Sequence, residues 1–199
     1  MSDATIRPEA LPVGSIGRKA SGWWGMLTIL MTEGALFAYL LFSYYYFAVQ
    51  YGRGFLPDEL PKFRLSLPDT IILLISSVFV WWGERGAKRG ANLQLVFGLL
   101  GTLILGVVFV GVQLLEWRDK PFTIGSSSYA SLYFTITGFH MAHVIAGLIM
   151  LSAVMVWSLL RYFDAERNSP VSIAAVYWHF VDIVWLIVFF TIYVTPRLW

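Results

Sequence analysis

Two histidines interrupt a long apolar stretch in the second half of the sequence, TGFHMAHVIAG. His140 and His143 lie three positions apart, so on a helix they share a face. Other apolar stretches contain three further ionisable residues: Glu33, His179 and Asp182. Ionisable side chains are expensive inside lipid and need partners. These five residues are therefore the candidates for any chemistry that the chain performs.

The spacing of the histidines limits that chemistry. A bis-histidine haem needs ligands on opposite sides of the iron, whereas His140 and His143 point the same way. A haem–copper centre needs more histidines than the three present. A metal cluster is chemically possible if three helices converge, with the ligands Glu33, His140, His143 and His179. We favour interhelical hydrogen bonding instead. This interpretation places His179 near Asp182 and predicts that the Glu33 carboxyl group contacts an imidazole of the fourth helix, with His143 preferred over His140.

Glu33 has two interpretations. It is either a buried, hydrogen-bonded carboxyl group with a structural role, which we favour, or a group that takes part in proton movement. Desolvation disfavours the charged form of a carboxyl group, so either interpretation allows a protonated side chain.

The composition is that of an integral membrane protein. Of the 199 residues, 58% are hydrophobic and 13% are charged, and a soluble domain needs more charge to cover its surface. The net charge of +2 gives no reason to expect a nucleic-acid partner. The absence of cysteine excludes disulfides, thiolate metal sites and iron–sulfur clusters. Residues 1–22 are polar and contain Pro8 and Pro12, so we expect a cytoplasmic tail and no signal peptide.

Five stretches are long and apolar enough to cross a bilayer. Backbone groups in lipid must pair within their own segment, so these stretches predict helices. The fold class is therefore all-α, a single five-helix transmembrane bundle over residues 23–199, with Pro68 and Asp69 starting the second helix. The predicted spans are 23–49, 67–82, 92–115, 129–160 and 171–194.

The short loops suggest an orientation. With the amino terminus inside, the inner segments have eight Lys and Arg residues and the outer segments have six. This bias predicts an N-in, C-out topology, with residues 83–91 cytoplasmic and Trp199 external. Small residues four apart on the fourth helix, Gly138, Ala142 and Ala146, predict a close helix contact opposite the histidine face.

Three segments have a pattern typical of one known family: WWGMLTILMTEGALFAYLLFSYYYF, QLLEWRDKPFTIGSSSYASLYFTITGFHMAHVIAG and YWHFVDIVWLIVFFTIYV. They resemble segments of subunit III of the haem–copper respiratory oxidases. The first resembles the helix with the family's buried glutamate, which Glu33 matches, the second the stretch that runs into the Gly-Phe-His-x-x-His helix, and the third the final helix. The resemblance covers roughly residues 22–195, in matching order.

The resemblance implies a subunit without a catalytic centre or cofactor of its own, with haem and copper in partner subunits. It implies packing against subunit I, phospholipid binding, and support for proton uptake and for durability during turnover. By position, Arg161 and His179 fall where the family contacts lipid headgroups. The longer members have two additional first helices, which places this chain with five-helix forms from bacterial plasma membranes.

Three alternatives stay open at this point. The resemblance favours a cytochrome c oxidase over a bacterial ubiquinol oxidase. An accessory protein of nitric oxide reduction belongs to the same superfamily. An independent transporter or proton channel is the least favoured, because the sequence shows neither an inverted repeat nor helix interiors broken by proline.

Overall fold

The computed structural model describes residues 21–57, 59–61 and 63–198. Most of the predicted tail 1–22 lies outside this range, as does Trp199, while Ser21 and Gly22 belong to the first helix. All regular structure in the described residues is helical. The five long helices are α1 Ser21–Tyr51, α2 Phe63–Lys88, α3 Asn92–Arg118, α4 Ser128–Leu159 and α5 Ser169–Phe189. Each belongs to a segment long and apolar enough to cross a membrane, which confirms the predicted number of spans.

Short helical turns complete the chain. A 3₁₀ turn, Gly52–Phe55, follows α1, and a π-helical turn, Phe190–Val194, and a 3₁₀ turn, Thr195–Arg197, follow α5. Because consecutive helices alternate in direction, the start of α1, the α2–α3 turn and the α4–α5 turn share one end of the bundle, called here the amino-terminal end. The other end, which includes the α3–α4 loop and Arg197, is called the carboxyl-terminal end.

The prediction for the start of the second helix was wrong. Helix α2 begins at Phe63, so Pro68 and Asp69 lie inside it, and it continues to Lys88. A proline here removes a single backbone bond, to the carbonyl group of Arg64, near a helix end where several groups already lack intrahelical partners. At the other end, Lys88 Nζ lies 2.6 Å from Glu84 Oε1, an i,i+4 pair that supports the final turn.

Helix α5 occupies the centre of the bundle. It packs against α1, α2 and α4, and the indole rings of Trp178 and Trp185 are completely buried. Both indoles donate hydrogen bonds to α2, from Trp178 Nε1 to Ser76 Oγ and from Trp185 Nε1 to Thr70 Oγ1, each at 3.0 Å. By contrast, α1 is mostly exposed and packs mainly on α4 and α5.

The small-residue face of α4 does not pack as predicted. Ala142 and Ala146 are exposed, and the nearest side-chain atom to a Cβ placed on Gly138 would lie 3.7 Å away. The opposite face is the packed one, because Gly147 is buried against the ring of Trp178. Helix α4 packs on α1, α3 and α5 through its other faces, while Ala142 and Ala146 stay uncovered in the described part of the chain.

Candidate functional site

The carboxyl group of Glu33 contacts the imidazole of His143 between α1 and α4. Glu33 Oε2 lies 3.0 Å from His143 Nε2, so the predicted contact is present. The side chain of His143 is 13% exposed and that of Glu33 is 32% exposed. Both residues lie near the middle of their helices. An ionisable pair therefore opens to the surface of the bundle at membrane depth.

The hydrogen bonds of His143 determine how many protons this pair holds. His143 Nδ1 lies 2.6 Å from the carbonyl oxygen of Phe139. A carbonyl oxygen only accepts hydrogen bonds, so Nδ1 has a hydrogen. The contact to Glu33 then consists of either a protonated carboxyl group donating to Nε2 or an imidazolium donating to a carboxylate. In both arrangements a single proton lies between the two groups, and the pair is neutral overall.

His140 has a separate environment. Its Nε2 lies 3.2 Å from the carbonyl oxygen of Val181, so this nitrogen donates a hydrogen bond from α4 to α5. The imidazole is buried and lies 4.7 Å from the Trp185 ring and 5.8 Å from the Phe109 ring, measured between centroids. This arrangement matches interhelical hydrogen bonding to a backbone carbonyl.

His179 and Asp182 meet through a serine of α2. His179 Nδ1 lies 2.7 Å from Ser77 Oγ, and the same hydroxyl group is hydrogen-bonded to Asp182 Oδ2. Ser77 and His179 are partly buried, and Asp182 is buried. Sequence reasoning missed Ser77, because a serine within an apolar helix shows no charge that would mark it.

The structure does not bring the four suggested metal ligands together. Glu33 contacts His143 alone among them, while His140 and His179 bond to Val181 and Ser77. Across the residues that the structure describes, no group of three or more acidic, histidine or cysteine side chains could hold a metal ion.

A second polar cluster lies at the carboxyl-terminal end and was not predicted as a site. Glu116 Oε1 accepts hydrogen bonds from Lys120 Nζ at 2.8 Å and from the Tyr193 hydroxyl at 2.5 Å, and the Tyr133 hydroxyl lies 3.5 Å away. The Lys120 and Glu116 side chains are only 9% and 4% exposed. Both oxygens of Asp69, which is completely buried, lack hydrogen-bond partners among the described residues. The i,i+4 spacing of Glu116 and Lys120 was the available signal in the sequence.

Comparison with known proteins identifies the family. The model of the family described as cytochrome c oxidase subunit III matches residues 18–196. The chain belongs to this family. Subunit III from Scyliorhinus canicula is 33% identical over 177 residues, which is 85% of this chain and 68% of the relative. Subunit III from Spodoptera frugiperda is 40% identical over 131 residues, which is 66% of this chain and 89% of the relative.

Membership in the subunit III family confirms the resemblance found in the sequence. It makes the chain one subunit of a respiratory oxidase, which is an oxidoreductase complex. The matched range includes all five polar residues singled out in the helices and both helices that form the Glu33–His143 contact.

Proposed function

We propose that this chain is the non-catalytic subunit III of a proton-pumping cytochrome c oxidase in a bacterial plasma membrane. It packs on catalytic subunit I, supports proton uptake into that subunit, and prolongs the working life of the enzyme during turnover. The haem and copper centres belong to the partner subunits, and this chain provides no group that reacts with oxygen.

The observation that carries this proposal is the opening of the Glu33–His143 pair at the bundle surface. An ionisable pair that faces lipid is costly, so a partly exposed one at membrane depth favours a protein neighbour. With one proton between Glu33 and His143, the pair can also exchange that proton with a polar group of the neighbour. We therefore place the subunit I contact on the face shared by α1 and α4.

The exposed alanines of α4 support a helix neighbour as well. Ala142 and Ala146 leave room for the backbone of another helix to approach closely, whereas Gly138 is half-buried beside Trp117 of α3. Because no helix in the described part of the chain covers these alanines, a partner subunit is the proposed occupant.

We propose that Arg161 provides the phospholipid contact. It lies in the exposed turn after α4, at the amino-terminal end of the bundle, where its cation can reach a headgroup phosphate. His179 was the second lipid candidate, but it lies about 15 Å along α5 from Ser169. Headgroup phosphates lie at the membrane surface, so we assign the headgroup contact to Arg161, and a lipid contact of His179 remains an expectation from the resemblance.

Oxygen consumption by the purified complex tests the proposal. Glu33→Gln keeps the shape of the side chain and some hydrogen bonding, so we expect normal assembly and most of the initial activity. Glu33→Ala leaves His143 without its partner, at a cost of roughly 1–3 kcal/mol. We expect this variant to lose subunit III more readily and to inactivate sooner during sustained turnover.

The neighbouring exposed residue provides a matched control, since Thr32→Val changes α1 without touching the pair. Subunit stoichiometry is measured alongside activity. Loss of initial turnover in an intact Glu33→Gln complex would make Glu33 an obligatory proton carrier and contradict the supporting role. An unchanged working life in Glu33→Ala would contradict the role in durability.

A further inference from the structure

The hydroxyl group of Ser77 joins two titratable side chains that do not bond to each other. His179 and Asp182 are neighbours on one face of α5, and Ser77 reaches them from α2. The order of the bonds is imidazole, hydroxyl, carboxyl. In a nucleophilic hydrolase triad the carboxylate bonds to the imidazole, so this arrangement does not activate the serine.

The single hydrogen of the hydroxyl group restricts the possible arrangements. If Ser77 donates to Asp182, its oxygen accepts the hydrogen of His179 Nδ1. If Ser77 donates to His179 Nδ1, its oxygen accepts a hydrogen from a protonated Asp182. Both arrangements use the same three heavy-atom positions and differ in which terminal group donates a hydrogen to the hydroxyl oxygen.

We propose that His179, Ser77 and Asp182 form a proton relay that loads and unloads the Asp182 carboxyl group. A proton binds His179 Nε2, the Nδ1 hydrogen passes to Ser77 Oγ, and the original Ser77 hydrogen passes to Asp182 Oδ2. The carboxylate becomes a carboxylic acid, the hydroxyl group is restored, and the imidazole ends neutral with its hydrogen on Nε2. One proton is gained overall, and the reverse sequence releases it.

The surroundings give the relay an accessible and an enclosed terminus. His179 is partly exposed, whereas Asp182 is 4% exposed and its Oδ1 is buried without a hydrogen-bond partner among the described residues. The nearby Trp178 and Trp185 donate their indole hydrogens to Ser76 and Thr70. Asp182 is therefore a store at the end of the relay.

A cavity of about 380 Å³ approaches the accessible terminus from the amino-terminal end of the bundle. Its lining includes Glu84, Ser172 and Val176, and Ser172 Oγ donates a 2.7 Å hydrogen bond to Glu84. Val176 lies one helical turn before His179 on α5, so water in this cavity can come within a turn of the imidazole. The titratable groups on the helices packed against α5 near this level are Glu84 on α2, Glu33 on α1, and His140 and His143 on α4.

The use of the relay rests on the proposed function, since a stored proton would serve uptake by the oxidase. The relay itself is tested without turnover. The full chain is labelled with ¹⁵N-histidine and placed in lipid vesicles, where its three histidines give separately assignable ring nitrogens. The proton affinity of His179 is then measured by titration in wild type, Asp182→Asn, Ser77→Ala and the double variant.

If the relay exists, Asp182→Asn changes the proton affinity of His179 by about tenfold when Ser77 is present. In the Ser77→Ala background the same substitution changes it by less than about twofold, because the link between the two groups is gone. Ser77→Thr keeps a hydroxyl group and should keep the tenfold coupling. Ser152→Ala is the control, because within the described residues Ser152 Oγ bonds locally, to the Leu148 carbonyl group.

Equal changes in the two backgrounds would show a direct electrostatic effect and overturn the relay, and so would the absence of any change. Either result would leave the turnover predictions for Glu33 unaffected. Conversely, failure of the Glu33 predictions would leave this coupling measurable.

Discussion

The backbones of Gly83 and Gly98 touch where α2 crosses α3. A Cβ atom placed on Gly98 would lie 2.6 Å from Gly83 Cα and 2.8 Å from the Phe79 carbonyl oxygen. A Cβ atom placed on Gly83 would lie 3.3 Å from Gly98 Cα. The crossing is thus a direct backbone contact, which small residues permit between membrane helices.

Gly98→Ala should therefore destabilise the chain. The added methyl group would clash with backbone atoms of α2, which cannot move aside as a flexible side chain can. Such overpacking lowers the free energy of unfolding by about 1–3 kcal/mol. Gly111→Ala on the same helix is the control, since in the described structure no atom beyond the adjacent backbone of α3 lies within 4 Å of its Cβ position. Thermal unfolding of the purified chain in detergent should show a lower midpoint for Gly98→Ala alone. Equal midpoints for the two variants would contradict the crossing.

Two Glu–Lys pairs with the same spacing should differ in their contribution to stability. Glu116 is buried and the Lys120 side chain is only 9% exposed, whereas Lys88 in the Glu84–Lys88 pair is 47% exposed. Lys120→Met leaves a buried carboxylate without its cation, which costs about 3–5 kcal/mol. Lys88→Met should cost less than about 1 kcal/mol, because exposed pairs contribute little.

Chemical denaturation of the two lysine variants measures this difference. Adding Glu116→Gln to Lys120→Met should recover part of the loss, because the unpaired charge is removed. If the buried and exposed variants lose the same stability, the Glu116–Lys120 pair is not desolvated as described.

The orientation predicted from the sequence, N-in and C-out, determines which loops a membrane-impermeant thiol reagent should reach. The chain has no cysteine, so single introduced cysteines can be labelled without background. Arg89 in the α2–α3 turn and Gly125 in the α3–α4 loop are both exposed. In intact cells Gly125→Cys should react and Arg89→Cys should not, and permeabilised cells should label both. The opposite pattern would reverse the topology.

The α4–α5 turn should loosen in acid because of Asp164. Its Oδ1 accepts hydrogen bonds from the backbone N–H groups of Arg167 at 2.7 Å and Glu166 at 2.9 Å. These bonds, that to Arg167 first, lower the pKa of the Asp164 carboxyl group. A lowered pKa in the folded state means that the stabilisation is present above the ordinary value of about 4 and is lost as pH falls through the lowered one.

Amide hydrogen exchange at Glu166 and Arg167 measures the effect in the turn. After correction for the intrinsic exchange rate, the protection of these two amides should fall as Asp164 is protonated. Asp164→Ala should remove this protection already at neutral pH. Asp119→Ala, in the α3–α4 loop, is the control for loss of an exposed acidic side chain. Unchanged protection in Asp164→Ala would contradict the role of the carboxylate.

Hydropathy predicted the five spans because lipid leaves the backbone no alternative to the helix. The ends of α2 were harder to predict, since Gly83 and the charged residues after it lower hydropathy although the helix continues over α3. The Glu33–His143 contact was predictable because each group is costly alone. Ser77 was not, because its role depends on how α2 and α5 are rotated toward each other. The buried position of Asp69 likewise depends on packing at the carboxyl-terminal end.

Helix α1 packs mainly on α4 and α5, and this arrangement also affects how the chain is synthesised and inserted. The ribosome completes α1 first, but His143 follows Glu33 by 110 residues. At about 5–20 residues per second, the carboxyl group waits roughly 6–20 s for its imidazole. During that interval Glu33 lies in the bilayer without its partner. Protonation of the carboxyl group, or temporary binding of α1 by an insertase, would lower the cost of this unpaired group. Insertion of the chain therefore places its own demand on Glu33, in addition to the role proposed for this residue during turnover.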